Sequence, residues 1–302
     1  MNIKFCVLFS ICCFCGAYLD AEDFKKWIRS DFSESAVHKN DLQRNKVTFP
    51  FDWSCTNIVE RSVCYRLHGF TVLDPIVTKY ETARDAKCGE FIHDFVVDWL
   101  KSNPVPLEGH KWAWHDDATA RRVQRMSYYF KYLKNLWLAD ELEEMKASLD
   151  LQAELLAKDS FYTKKHNHGM YQDFALLSYA ICVCTNEIEA QRYRKKAIER
   201  SMEYFDYVFC ENGVHKEHSP MYANWVADKA LAFSNLVAPF NVVASKKYYS
   251  YYCKAQRFLV LCTKPNGMWP AVGDSREVWT RYEPEKDVVF RDEKTGGGVC
   301  HI

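Results

Sequence analysis

From about position 82 onward, stretches in which apolar residues recur every third or fourth position alternate with short polar breaks. That spacing puts the apolar side chains on one face of an α-helix. Phe91, Ile92, Phe95, Val96, Trp99 and Leu100 follow it and predict a helix over 82–102, stopped by the Asn-Pro-Val-Pro run after Ser102. The same pattern predicts helices over 116–139, 140–156, 170–183, 187–209, 221–236 and 246–262. Only 46–51 and the stretch around 287–290 look strand-like. There is no heptad, low-complexity segment or clear repeat. Successive amphipathic helices joined by short polar connections form antiparallel helical hairpins, so an all-α chain is expected. Periodicity alone admits a bundle, a solenoid or a closed α/α toroid.

Composition narrows the picture. Forty basic residues balance forty acidic ones, which argues against a general nucleic-acid binder with its basic excess. Scarce Gly (11) and Pro (9) disfavour a turn-rich all-β chain or a disordered one. At the start, a lysine at position 4 precedes the apolar run Phe5–Cys15, and small residues follow at Gly16-Ala17. This is the pattern of a secretory signal peptide cleaved near Ala17, too short to span a bilayer with confidence. The mature protein is expected to be soluble and extracellular, with no membrane partner. Cleavage would remove four of the 13 cysteines, leaving an odd set from Cys55 to Cys300. Cys55 and Cys64 would make a local disulfide loop in an oxidising compartment.

Three loops carry candidate chemistry, since binding residues usually ride on loops. The first is Trp112-Ala-Trp-His-Asp-Asp-Ala-Thr-Ala-Arg-Arg122. Trp112 and Trp114 are plates suited to sugar rings, Asp116 or Asp117 can cap the next helix, and Arg121, Arg122 and Arg125 can pair with carboxylate or sulfate. Taken alone, two core tryptophans and a solvated arginine face explain it as well. The second is Lys164-Lys-His-Asn-His-Gly-Met-Tyr-Gln-Asp173. Here Asn167 and His168 precede a helix whose N-terminus suits an anion, and Gly169 relaxes the backbone. The third, Glu211 to Tyr222, displays Tyr222 after a Ser-Pro turn. Combined, Asn167, His168 and Tyr222 supply what abstraction of a uronic-acid C5 proton needs. An amide and an imidazole quench the adjacent carboxylate, and a phenol transfers protons, provided positive neighbours lower its pKa from about 10.

Four segments resemble, in order, the helical domain of the heparinase II/III superfamily of polysaccharide lyases: 114–122, 167–177, 213–222 and Trp-Pro-Ala-Val-Gly-Asp-Ser at 269–275. The resemblance runs from about Lys46 to Ser275. It implies an incomplete (α/α) toroid with a cleft at its loop ends, occupying 18–285 after the 1–17 leader. It also implies that Asn167 neutralises the uronate carboxylate, that His168 assists in neutralisation or proton abstraction, and that Tyr222 is acid, base or both. Trp114, His115, Arg122 and Glu217 would line the substrate site. An acidic polysaccharide of heparan sulfate or alginate type would be the partner, cleaved by β-elimination without cofactor or metal.

Two departures from that family stand out. Relatives continue into a β-sandwich domain, whereas 286–302 is a short tail, so a truncated form is expected with Cys300 missing its partner. Ala223 also follows Tyr222 where many relatives have His. Three rivals accompany the lyase reading. A uronyl C5-epimerase would share the first proton abstraction. A metal hydrolase would use His166-x-His168 with His215-x2-His218. A non-catalytic glycan-binding module would need none of this chemistry.

Overall fold

A computed structural model describes residues 21–32, 36–106, 111–276 and 279–280. The leader, the strand expected near 287–290, the tail and Cys300 lie outside the described residues. The expected all-α architecture is what the chain adopts. Its helices are α1 (Ala21–Ile28), α2 (Ala36–Arg44), α3 (Arg61–His68), α4 (Asp74–Ala83), α5 (Ala86–Ser102), α6 (Asp116–Tyr132), α7 (Ala139–Ala157), α8 (Asn167–Cys182), α9 (Glu187–Val208), α10 (Pro220–Val237) and α11 (Val242–Leu261). Among the described residues, β-structure is limited to two isolated bridges, Phe209 with His215 and Met268 with Trp279. No described helix is long and apolar enough to cross a membrane.

Consecutive helices pack as hairpins: α4 on α5, α6 on α7, α8 on α9 and α10 on α11. Across hairpins, α6 packs on α8, and Phe174 of α8 meets Phe233 of α10 edge-to-face at 5.2 Å. α6, α8 and α10 therefore form the inner layer of an incomplete toroid, and α7, α9 and α11 the outer layer. Burial separates the two. α8 is buried on every side from Gly169 to Ala180, as a helix apolar nearly all round requires. α9 instead buries one stripe, including Tyr193, Ala197, Tyr204 and Phe205, beneath a charged face. α1 packs on both α10 and α6, bridging two inner helices.

Capping residues explain most shifts in helix boundaries. Asp85 accepts from the backbone N–H groups of Lys87 and Cys88 at 3.1 and 3.4 Å, so α5 begins at Ala86, and α4 occupies the residues before it. α11 starts at Val242 because Asn241 caps it through Ala244 N–H at 3.0 Å. α6 ends at Tyr132, short of 139, where a 3-10 turn follows at Lys134–Leu136; Glu141 then accepts the Leu138 N–H at 2.8 Å to open α7. The expected strand at 46–51 is a loop. Asp98 satisfies its Phe51 N–H at 3.0 Å and the Trp53 indole N–H at 2.7 Å, which leaves no need for a partner strand.

Two buried arginines tie the inner layer together. Arg125 on α6 makes a two-pronged pair with Asp74 on α4, at 2.8 and 2.7 Å. Arg122 lies 4.0 Å over the Trp99 ring and donates to Gln152 and to the His68 carbonyl, both at 2.8 Å. Cys55 and Cys64 sit side by side in the interior as free thiols.

Candidate active site

The three loops converge because each precedes an inner helix, so the N-termini of α6, α8 and α10 share one end of the toroid. Short polar side chains cap those starts. Asp116 Oδ1 accepts the Asp117 N–H at 2.7 Å, His166 accepts the His168 N–H at 3.2 Å, and Ser219 accepts the Tyr222 N–H at 3.2 Å with Pro220 at the first helical position. Asp116, one of the two candidates, thus satisfies an open N–H at the start of α6, and His166 does so at the start of α8.

Asp116 is the hub. One of its oxygens lies 2.7 Å from His115 Nδ1 and the other 3.1 Å from His168 Nδ1, and it also accepts from the Thr163 hydroxyl. Burial favours its neutral form, but these three hydrogen bonds outweigh burial and hold its carboxyl well below the usual range. The hydrogen bond to Asp116 raises the His168 pKa against the opposing effect of burial. The pairing thus favours the charged imidazole of His168, its Nδ1 engaged and its ring one-third exposed. His166 stacks edge-on against His168 at 4.5 Å; burial and the His168 charge lower its pKa and favour the neutral ring.

Asn167 opens α8 beside this cluster, half-buried, with an Oδ1 that is buried and has no hydrogen-bond partner among the described residues. Gly169 serves the turn differently from expected. Its φ is not in the left-handed region; instead a Cβ there would meet the Thr163 carbonyl oxygen at 2.3 Å, so glycine permits a close crossing of the two segments. Tyr222 stands across the cleft at the start of α10. Its ring meets Trp225 at 5.7 Å, and Trp225 meets Tyr171 of α8 at 5.6 Å, linking the two walls.

The phenol departs from expectation in its electrostatics. Burial, then the charges of Glu217 and Asp274, push the Tyr222 pKa up, where lowering by positive neighbours was expected. Tyr222 therefore waits as a neutral phenol. Glu217 is exposed on the same loop, close enough to His166 and Tyr222 to act on both charges. The 269–275 segment clamps this loop: Ser275 Oγ lies 2.8 Å from Ser219 Oγ and accepts the Met221 N–H at 3.0 Å.

The remaining candidates divide. His115 belongs to the cluster, with Nε2 3.2 Å from the Tyr65 hydroxyl. Trp114 turns inward: its indole N–H is buried without a partner among the described residues, and it packs near Trp99 and Arg122. Trp112 takes the position beside the site, edge-on to Tyr65 at 5.2 Å. Arg122 has no exposed surface, which removes it from any substrate contact. The four histidines of the metal-hydrolase alternative do not converge. His215 is buried, its Nδ1 accepts the Glu217 N–H at 3.3 Å, and burial drops its pKa to about 4. Among the described residues no three His, Cys, Asp or Glu side chains form a metal-ligand group. Sequence reasoning missed Asp116 as a hub, along with Tyr65 and Thr163, and offered His166 only as a metal ligand. The available signal was the Asp116-Asp117 pair after His115, two carboxylates in the first turn of a helix.

The sequence matches the family described as Heparinase II/III N-terminus over residues 27–290. The fold is similar to that of heparan sulfate lyase HepC from Pedobacter heparinus, with 18% identity and a TM-score of 0.62 over 82% of this chain and 44% of that one. It is also similar to a heparinase III gene product, with 14% identity and a TM-score of 0.62 over 83% and 43%. A further heparinase III structure matches with 17% identity and a TM-score of 0.58 over 78% and 40%. This chain thus spans less than half the length of these proteins. No curated protein sequence matches it.

Proposed function

The chain belongs to the heparinase II/III family, and on that premise we propose that it acts as a polysaccharide lyase on a uronate-containing glycan of the heparan sulfate type. The observation that carries this reading is the facing pair of helix starts: Asn167 beside an imidazolium held by Asp116 on one wall, and a neutral Tyr222 phenol on the other.

In this reading the Asn167 amide and the His168 imidazolium bind the uronate carboxylate. Both counter the charge that builds as C5 loses its proton. Tyr222 then works as a proton relay. The C5–H electron pair becomes the C4=C5 double bond as the C4–O4 bond breaks; the phenol gives its proton to departing O4 and takes the C5 proton in return. The enzyme is restored, and the product carries a 4,5-unsaturated uronate end. A raised phenol pKa suits this cycle, because Tyr222 must begin protonated to act as acid. We also propose that the 1–17 leader, an apolar run followed by Gly16-Ala17, directs the chain to secretion.

Incubation with heparan sulfate tests the reading. Ultraviolet absorbance from the new double bond, lost in Tyr222→Phe and Asn167→Ala, is the expected result. Deuterium uptake at C5 without that absorbance would replace the lyase by an epimerase. Binding without either would leave a glycan-binding module.

A further inference from the structure

Beneath the catalytic wall lies a cavity of about 800 Å3, a size typical of ligand-binding clefts. Tyr65, Asp117, Tyr171 and Trp225 line it. Tyr65 is the partner of His115, and Trp225 is the partner of Tyr222, so the cavity lies one side chain away from the site already described. Its floor comes from the segment after α1, where Gln124 of α6 donates to both the Ile28 carbonyl and the Asp31 carboxylate.

Two polar groups meet there without full partners. Lys229 of α10 is 3% exposed. Its Nζ lies 3.5 Å from Asp31 Oδ1 and has no hydrogen-bond partner among the described residues. The second oxygen of Asp31 is also buried and unpartnered there. Buried donors and acceptors left open cost stability unless something satisfies them. The neighbouring cations are already committed: Arg121 to both oxygens of Asp117 at 2.9 Å, and Arg125 to Asp74.

We propose that this cavity is a sugar subsite in which Lys229 and Asp31 grip the hydroxyl groups of one pyranose ring stacked among Tyr65, Tyr171 and Trp225. A hydroxyl accepts from the ammonium and donates to the carboxylate, which satisfies both open atoms at once. A sulfate or carboxylate would satisfy Lys229 but would meet the Asp31 charge, so the subsite takes an uncharged face of the glycan. This inference rests on the glycan reading of the neighbouring site and specifies which part of the chain enters below it.

Calorimetric titration of the full chain with an unsulfated uronate–N-acetylhexosamine tetrasaccharide, and with its sulfated counterpart, tests the subsite. Lys229→Met, of similar length and apolar, is expected to weaken binding of the unsulfated sugar about tenfold, with native circular dichroism retained. Asp31→Asn, which keeps an acceptor for Gln124, is expected to weaken the unsulfated sugar and tighten the sulfated one. Damage to the fold would not produce that crossover. Unchanged affinities in folded variants would overturn the subsite and leave the lyase reading intact. If the wild-type chain bound neither tetrasaccharide, both would fall. If Lys229→Met failed to fold, the Asp31→Asn crossover would still decide.

Discussion

His168 Nδ1 and Asp116 Oδ2 lie 3.1 Å apart across the starts of two helices whose first residues are 51 positions apart in the chain. The contact engages Nδ1 of the imidazole and raises its pKa, favouring the protonated ring. Asp116→Asn should lower kcat for glycan cleavage about a hundredfold, in the range lost when one transition-state donor is disturbed. The fold raises the His168 pKa, so its charged form persists above the ordinary histidine value. The basic limb of the kcat profile should therefore move toward lower pH in the variant. A pH–rate series on both proteins checks this, and a profile unmoved by the substitution would deny Asp116 its positioning role.

The same pair shapes stability. His168 has a raised folded pKa, so its contribution is complete below its unfolded value and fades as pH climbs through the folded one. Asp116 has a lowered pKa, so its contribution is present above the ordinary carboxylate range and is lost as pH falls toward the depressed value. Urea titrations of wild type and Asp116→Asn should differ most between those limits and converge at strongly acid pH.

Tyr222→Phe should abolish elimination, a loss of about 10²- to 10⁴-fold if the phenol is the proton carrier. The Ser219 cap and the Trp225 contact do not involve the hydroxyl, so the melting temperature should hold. A variant that retains the ultraviolet signal would remove Tyr222 from the mechanism.

Arg122 and Arg125 should behave as parts of the frame. Arg125→Ala removes the two-pronged partner of the buried Asp74 carboxylate and should cost about 3–5 kcal/mol. Arg122→Ala removes the buried donor to Gln152 Oε1 and to the His68 carbonyl, at about 1–3 kcal/mol. Denaturation midpoints should fall in both. Unchanged stability with a raised KM in Arg122→Ala would return that residue to the substrate site.

Lys229 gives a pH signature. Burial, with Arg121 and Arg125 nearby, lowers its pKa to about 8 despite the opposing pull of Asp31. Affinity for the unsulfated tetrasaccharide should weaken as pH rises through about 8, and this slope should vanish in Lys229→Met. Because the folded value lies below the ordinary lysine range, the folded chain binds fewer protons than the unfolded one above about 8. Stability from this group therefore rises with pH across that window.

Much of this was legible in the chain itself. The apolar spacing of α5 to α11 reports burial directly, so those helices could be placed with errors of a few residues at their ends. The short helices α3 and α4 were invisible, because a helix of two or three turns carries too few repeats to stand above noise. Asn167, His168 and Tyr222 were singled out where motif order and residue chemistry agreed, and the fold brings them to the starts of two inner helices. Arg122 and Trp114 could not be sorted from true cleft residues, since a plate or a guanidinium reads the same whether it faces solvent or core. The raised Tyr222 pKa also escaped, because it depends first on burial and then on the charges of Glu217 and Asp274, the last of which arrives from beyond α11.

That dependence has a consequence for how the protein comes to be active. The Ser219–Ser275 contact spans an entire helical hairpin, so Tyr222 cannot take its seat until α10 and α11 have folded onto each other and the strap behind them has closed. Helix content should appear early in refolding, since neighbouring hairpins form through local contacts, while competence lags until the strap docks. The candidate site is expected to be assembled last, so that a chain still emerging from the ribosome carries the scaffold of the cleft before Tyr222 is held in place.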